Sequence, residues 1–308
     1  MEIGGYFEFE NLIHKEYYPE LIALNTARNA VAYLIKTKGI KKLFIPTFLC
    51  DSIYKVCERE GCAYDYYEVG EDFQPIFCKK LDDNEWVYIV NYYGQVLNER
   101  DLKEKYIRII FDNVQAFFQK PIEGIDTIYS CRKFFGVPDG SYLSTDRRIE
   151  VEQDISKDRM NHILGRYECT ASEYYNSYVE NEETYYDLPI RGMSKLTHNI
   201  MGAIDYETVK RRREENFEYL YDGLHHKNGI EIHKVEGPFS YPFYTKNGLD
   251  IKKRLAKKGI FIASLWPTSF EFGGLAKEYS ENILPLPCDQ RYSLKDMQIV
   301  LDELNNIV

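Results

Sequence analysis

A lysine, a carboxylate and a hydroxylated helix start stand in this chain where each can do chemistry. Residues 129–142 read YSCRKFFGVPDGSY, so Lys133 leaves a strand-like run and enters a turn built from Gly136, Pro138, Asp139 and Gly140. A primary amine there can add to an aldehyde, and ligands of parallel α/β sheets bind beyond the carboxyl ends of the strands. Taken alone, a loop lysine is most simply a solvated side chain. Ser130, three residues earlier, offers a hydroxyl to a phosphate or merely closes a strand-end turn. Upstream, residues 109–116 read IIFDNVQA, which delivers Asp112 at the end of an apolar run, with Gln115 following. A buried carboxylate beside a heterocyclic nitrogen favours the protonated ring. The bland alternative for Asp112 is a turn or helix cap. Residues 25–29, NTARN, open a helix whose free N–H groups, aided by the Thr26 hydroxyl and Arg28, suit a phosphate; the alternative is a plain N-cap.

These residues need a scaffold that brings strand ends together. From Leu21 to about Thr145, strand and helix signals alternate as in successive βα units, which predicts an open, mostly parallel sheet. Helices are expected over 27–37 and 52–60, and strands over 43–46, 62–69, 86–92, 107–111 and 127–130. A polar, aromatic-rich helical stretch follows over 150–197, then a long charged helix over 206–224. A strand is expected over 238–244, a helix over 249–258 stopped by Gly259, a strand over 260–265 and a final helix over 293–305. In that last helix Ser293 is the N-cap and Asp296 completes a capping box. The division predicted is a large domain, 1–205, and a small C-terminal α+β domain, 206–308.

Composition narrows the function classes. A formal charge of -10 argues against nucleic acid and anionic membranes as partners. No run of 18 apolar residues occurs, and the start of the chain lacks a basic leader, so a cytoplasmic protein is expected. The seven cysteines are scattered without a C-x-x-C pair and read as reduced thiols. His225, His226 and His233 are too irregular for a metal site, so no metal is expected, and residues 210–215 suit a solvated helix face. No G-x-G-x-x-G or Walker loop is present. Gly4-Gly5-Tyr6-Phe7 is expected to anchor the terminus.

In order and spacing these segments resemble the DegT/DnrJ/EryC1/StrS family of pyridoxal-phosphate enzymes, best known as sugar-nucleotide aminotransferases. Asn25–Val31 resembles the family's small-Gly-Thr helix start, and Ile45–Cys50 its Pro-centred loop. Asn91-Tyr92-Tyr93-Gly94-Gln95 is similar to its His-x-Tyr-Gly-Gln segment, and Asp112–Ala116 to its Asp-Ala-Ala-Gln-Ala motif. Lys133 with Asp139-Gly140 resembles its Lys followed by Glu-Gly-Gly, and Leu284-Pro285-Leu286-Pro287 its Leu-x-Leu-Pro.

The resemblance implies a type I PLP-dependent aminotransferase fold and pyridoxal 5'-phosphate (PLP) as cofactor. It implies that Lys133 holds PLP as a Schiff base and carries protons, that Asp112 pairs with the ring nitrogen and that Gln115 bonds the phenolic oxygen. Thr26, Ala27, Arg28 and Ser130 would hold the phosphate, and Asn199 would reach it from the neighbouring subunit of a homodimer with shared sites. The implied reaction moves an amino group from an amino acid, commonly glutamate or glutamine, to a keto sugar, commonly nucleotide-linked, in surface-polysaccharide synthesis. The chain departs from the pattern where Cys50 replaces a ring-stacking aromatic, where Ala27-Arg28 replaces Gly-Thr, and where Ile128 replaces a serine. Relatives that dehydrate or epimerise sugars form a second reading, although the dehydratases typically carry histidine in place of the lysine. A non-catalytic binding or regulatory protein of the same fold is a third.

Overall fold

The computed structural model describes residues 5–13, 15–96 and 99–307. Its centre is an eight-stranded sheet in the order β1-β8-β7-β6-β5-β2-β3-β4. The strands are β1 (Ile22–Leu24), β2 (Lys42–Pro46), β3 (Ala63–Val69), β4 (Pro75–Ile76), β5 (Glu85–Val90), β6 (Ile109–Asp112), β7 (Asp126–Ser130) and β8 (Ser141–Ser144). Pairing is parallel from β7 through β6, β5 and β2 to β3, and antiparallel at β4 and on both sides of β8. Residues 87–90 of β5 and all of β6 and β7 are buried, as expected of parallel strands covered on both faces. Because β8 runs against both neighbours, Leu24 at the end of β1 and Ser130 at the end of β7 both pair with Ser141. The carboxyl ends of β1, β7, β6, β5 and β2 therefore share one edge of the sheet.

Helices α1 (Ala27–Lys38) and α2 (Asp51–Arg59) follow β1 and β2. Thr26 caps α1, its Oγ1 accepting the Asn29 N–H at 3.0 Å, and Gly39 ends it at φ 65°, a left-handed conformation that glycine adopts without strain. Helix α3 (Glu99–Lys105) precedes β6, and α4 (Asn161–Glu168), α5 (Tyr175–Thr184) and α6 (Lys195–Met201) follow β8. The stretch expected to be helical over 150–197 thus holds short helices separated by turns.

A second core forms around α7 (Tyr206–Leu224), β9 (Tyr241–Tyr244), α8 (Gly248–Ala256), β10 (Ile283–Leu286) and α10 (Leu294–Asn305). Phe217, Leu220, Phe243, Leu284, Leu286, Met297 and Leu304 fill it. Trp266 and, in α9 (Gly274–Asn282), Ala276 and Tyr279 instead join the core of the large sheet despite their late position.

Two expectations are corrected. Residues 260–265 form no strand: β9 pairs antiparallel with β10, while Ile260 and Ile262 pack only partly buried against the second core and Phe261 faces solvent. Apolar, β-branched residues mark the segment as strand-like, but a strand forms only where another segment supplies ladder hydrogen bonds, and among the described residues none pairs with 260–265; β9 pairs with Ile283–Leu286. Tyr6 and Phe7 are each 98% exposed, so they do not anchor the terminus on this chain; Gly4 lies outside the described residues. The capping box of α10 is present, Ser293 N–H donating to Asp296 Oδ2 at 2.7 Å. Among the described residues no helix is long and apolar enough to cross a membrane.

Candidate active site

The lysine turn starts as β7 ends. Cys131–Lys133 makes a single 3-10 turn, after which Phe134 and Phe135 plunge into an aromatic cluster with Tyr18, Phe117 and Tyr142. Burying the two residues after it leaves the Lys133 side chain outward, with its ammonium 5.8 Å from the centre of the Phe239 ring. The Phe134 carbonyl is held by residues late in the chain, accepting from Arg213 Nη2 on α7 at 3.2 Å and Gln290 Nε2 at 2.7 Å. The turn closes where Cys131 N–H donates to the Gly140 carbonyl at 3.1 Å and Gly140 N–H to the Asn25 carbonyl at 2.7 Å. Gly140 sits at φ +114°, and an added Cβ would meet Thr197 Cγ2 at 3.0 Å. Asp139, fully buried, accepts the Ser194 N–H at 2.9 Å, the Ser194 hydroxyl at 2.8 Å and the Thr197 hydroxyl. The carboxylate of the Asp139-Gly140 pair thus binds Ser194, the N-cap residue of α6, and Thr197 in its first turn, and ties the lysine turn to that helix.

Asp112 stands at the adjoining strand end, buried, with Oδ2 accepting from the Tyr88 hydroxyl at 2.6 Å and Oδ1 from the Val114 N–H at 2.8 Å. Burial pushes its carboxyl above the usual carboxylate range, and the Tyr88 bond, the Lys133 charge and the Val114 N–H draw it back. No ion pair reaches it among the described residues. Gln115, also buried, accepts the Tyr93 N–H on Oε1 at 2.9 Å. A backbone N–H can only donate, so this bond fixes the orientation of the amide, and Nε2 is left buried without a partner. Tyr93 holds a left-handed φ of 54° to make the contact.

At the start of α1, Asn29 N–H is spent on the Thr26 hydroxyl and Ala30 N–H on the Thr26 carbonyl, while Ala27 and Arg28 N–H have no acceptor among the described residues. Arg28 lies with its guanidinium carbon 4.5 Å from the centre of the Tyr186 ring and its Nε buried and unpartnered. Tyr186 is held there by Asp51, which accepts its hydroxyl at 3.1 Å, and by Lys55, 4.4 Å from the ring centre. Ser130, beside Ser141 in register, makes no side-chain hydrogen bond among the described residues. Cys50 is the N-cap residue of α2 without capping it, its Sγ 2.8 Å from Ser52 Oγ. It stands on the Asp112 side of the sheet edge and offers sulfur, not a ring face.

Lys133, Asp112, Gln115, Ser130, Thr26, Ala27, Arg28 and Cys50 all come to one sheet edge. Asn199 does not join them. It is in α6, with Oδ1 accepting the Leu12 N–H at 2.9 Å and Nδ2 donating to the Glu10 carbonyl at 2.8 Å, so its amide holds the chain's own N-terminal arm. Sequence reasoning missed Tyr88, Tyr186 and Arg132. The Arg132 guanidinium is 3.6 Å from the centre of the Tyr185 ring and pairs with Glu182. Strand alternation could have flagged Tyr88; nothing local connects Tyr186 to Arg28, 158 residues away by subtraction of their numbers.

The donor set fits PLP. A buried carboxylate without an ion pair suits a protonated ring nitrogen, an orphaned amide N–H suits a phenolic oxygen, and two free N–H groups beside a guanidinium suit a phosphate.

No family model matches the sequence, and no curated protein matches it. Solved structures do match. A provisionally assigned sugar aminotransferase of Streptococcus pneumoniae, Spr1654 in its PLP form, aligns with 94% of this chain and 87% of its own at TM-score 0.66 and 13% identity. A DegT DnrJ EryC1 StrS aminotransferase from Brucella abortus aligns over 93% and 85%, at 0.62 and 16%. The sugar aminotransferase CalS13 from Micromonospora echinospora aligns over 94% and 87%, at 0.64 and 12%. The chain has the type I aminotransferase fold these proteins share.

Proposed function

We propose that this protein is a PLP-dependent aminotransferase that moves an amino group from an amino acid, glutamate or glutamine, to a keto sugar carried on a nucleotide. The observation that carries the reading is the set of groups at one sheet edge: buried Asp112 without an ion pair among the described residues, buried Gln115 with an unspent donor, and the outward Lys133 as the amine whose charge Asp112 feels. The fold shared with sugar aminotransferases supports the substrate class.

When bound, PLP supplies an aldehyde carbon that captures amines and a ring that accepts electron density. Lys133 Nζ would hold the cofactor through that carbon, and as a free amine it would carry the proton away from the donor's α-carbon and deliver one to the acceptor's carbon. Asp112 keeps the ring nitrogen protonated by pairing with it. Gln115 Nε2 donates to the phenolic oxygen, which relieves an unmet bond costing about 1–3 kcal/mol. The Ala27 and Arg28 N–H groups, the Arg28 guanidinium and the Thr26 and Ser130 hydroxyls bind the phosphate. Cys50 would offer sulfur packing to the ring in place of an aromatic face. In a homodimer, one Nδ2 N–H of Asn199 would remain for the partner's phosphate while the other holds the Glu10 carbonyl.

The test is the visible spectrum of the purified protein supplied with PLP. A band that borohydride fixes to Lys133, that Lys133→Ala abolishes and that glutamate bleaches is expected. No band in the wild type sinks the reading, and a band that no donor bleaches points to a binding protein of the same fold.

A further inference from the structure

Tyr88 lies two residues before the end of β5, and alternation along the strand puts it on the face of Val90, which pairs in register with Asp112. Its hydroxyl is the shorter of the two bonds Asp112 accepts, at 2.6 Å against 2.8 Å from Val114 N–H. Both side chains are buried. Burial first, and the Asp112 charge second, hold the phenol far above its usual range, so it remains a donor wherever Asp112 is ionised. The titratable groups around the carboxylate are Tyr88 on β5, Tyr92 in the turn after it and Lys133 after β7, with Cys50 beside Tyr88.

We propose that Tyr88 is a positioning residue of the candidate cofactor site: by donating to one oxygen of Asp112 it sets the plane of the carboxylate and leaves its remaining lone pairs for a protonated ring nitrogen. The proposal rests on the PLP reading above and adds a residue to it. A carboxylate with its side chain enclosed and one bond from its own turn can still rotate about its last torsion; a second bond from a neighbouring strand removes that freedom. A hydroxyl donor also supports the charged form without placing a competing cation where the ring nitrogen must come.

Tyr88→Phe keeps the ring and its packing and removes the donor. The first readout needs no cofactor: difference infrared titration of the Asp112 carboxyl, identified by its loss in Asp112→Asn. The midpoint is expected to rise by about one pH unit in Tyr88→Phe, and to fall when Tyr88 is replaced by 3-fluorotyrosine, a stronger donor of the same size. The second readout is the PLP dissociation constant with the pH titration of the visible band. Tyr88→Phe is expected to weaken PLP about tenfold and to shift that titration, and to change neither in an Asp112→Asn background. Wild-type midpoints and affinity in both Tyr88 variants overturn the proposal. A wild type with no visible band overturns the cofactor reading and with it the ring-nitrogen role, while the infrared midpoints then decide separately whether Tyr88 controls Asp112.

Discussion

Asp112 is an expensive residue to keep. Its carboxyl is raised by burial, so folding favours its protonated form: stabilisation is full below the ordinary carboxylate pKa and is lost as pH rises through the folded-state value. At neutral pH the charge is a burden unless a cation offsets it. Asp112→Asn is therefore expected to leave the cofactor-free protein as stable as wild type or more so at pH 7, with the difference fading toward pH 3, while PLP affinity drops by at least about tenfold. Denaturant titrations at the two pH values, with and without PLP, check this; an Asn variant that is less stable at pH 7 without cofactor contradicts it. Lys133 and Gln115 show the same pattern of groups held ready, one outward by the burial of Phe134 and Phe135, the other oriented by the Tyr93 N–H.

Turns and caps do the positioning at the scale of elements. Gly140 combines a positive φ with close neighbours that a Cβ would crowd, so Gly140→Ala should cost about 2–3 kcal/mol of unfolding free energy, measured by denaturant titration. It should also weaken PLP, because the turn it closes carries Lys133. Asp296→Ala removes the capping box of α10 at a cost of about 1 kcal/mol and should leave PLP affinity unchanged, since α10 packs into the second core. A Gly140 variant with wild-type affinity would separate the turn from the site. The capping box and the α7 boundaries could be read from local spacing. The missing strand at 260–265 could not, because local strand character does not say whether a distant segment will supply the ladder partner.

Across the whole molecule, α6 links the lysine turn to the N-terminal arm. Asp139 binds its first turn, Asn199 holds Glu10 and Leu12, and His198 Nδ1 meets Glu16 Oε1 at 2.6 Å. The Glu16 carboxylate raises the His198 pKa above its ordinary 6.5 against the opposing effect of burial. A raised histidine stabilises fully below about 6.5 and loses that contribution as pH passes its folded value. Hydrogen exchange of the amides of Leu12 and Lys15 is therefore expected to speed up above neutrality beyond the intrinsic base-catalysed rise, and His198→Ala should remove the excess. The same exchange in both proteins at every pH would show that the pair does not hold the arm.

The sequence by itself determined the chemistry-bearing strings. Lys133, Asp112, Gln115, Thr26 and Ser130 each lie at a strand end or helix start marked by spacing within a few residues, and alternating strand and helix signals imply that such ends share an edge. Only the tertiary structure decided their company. Tyr88 reaches Asp112 through the β5–β6 register, Tyr186, two residues past the end of α5, meets Arg28, Arg213 on α7 and Gln290 grip the Phe134 carbonyl, and Asn199 turns toward its own arm. The physical reason is one of range. Periodicity and capping are set by neighbours three or four residues apart, whereas register and packing between distant segments depend on which of several compatible surfaces fill the same space.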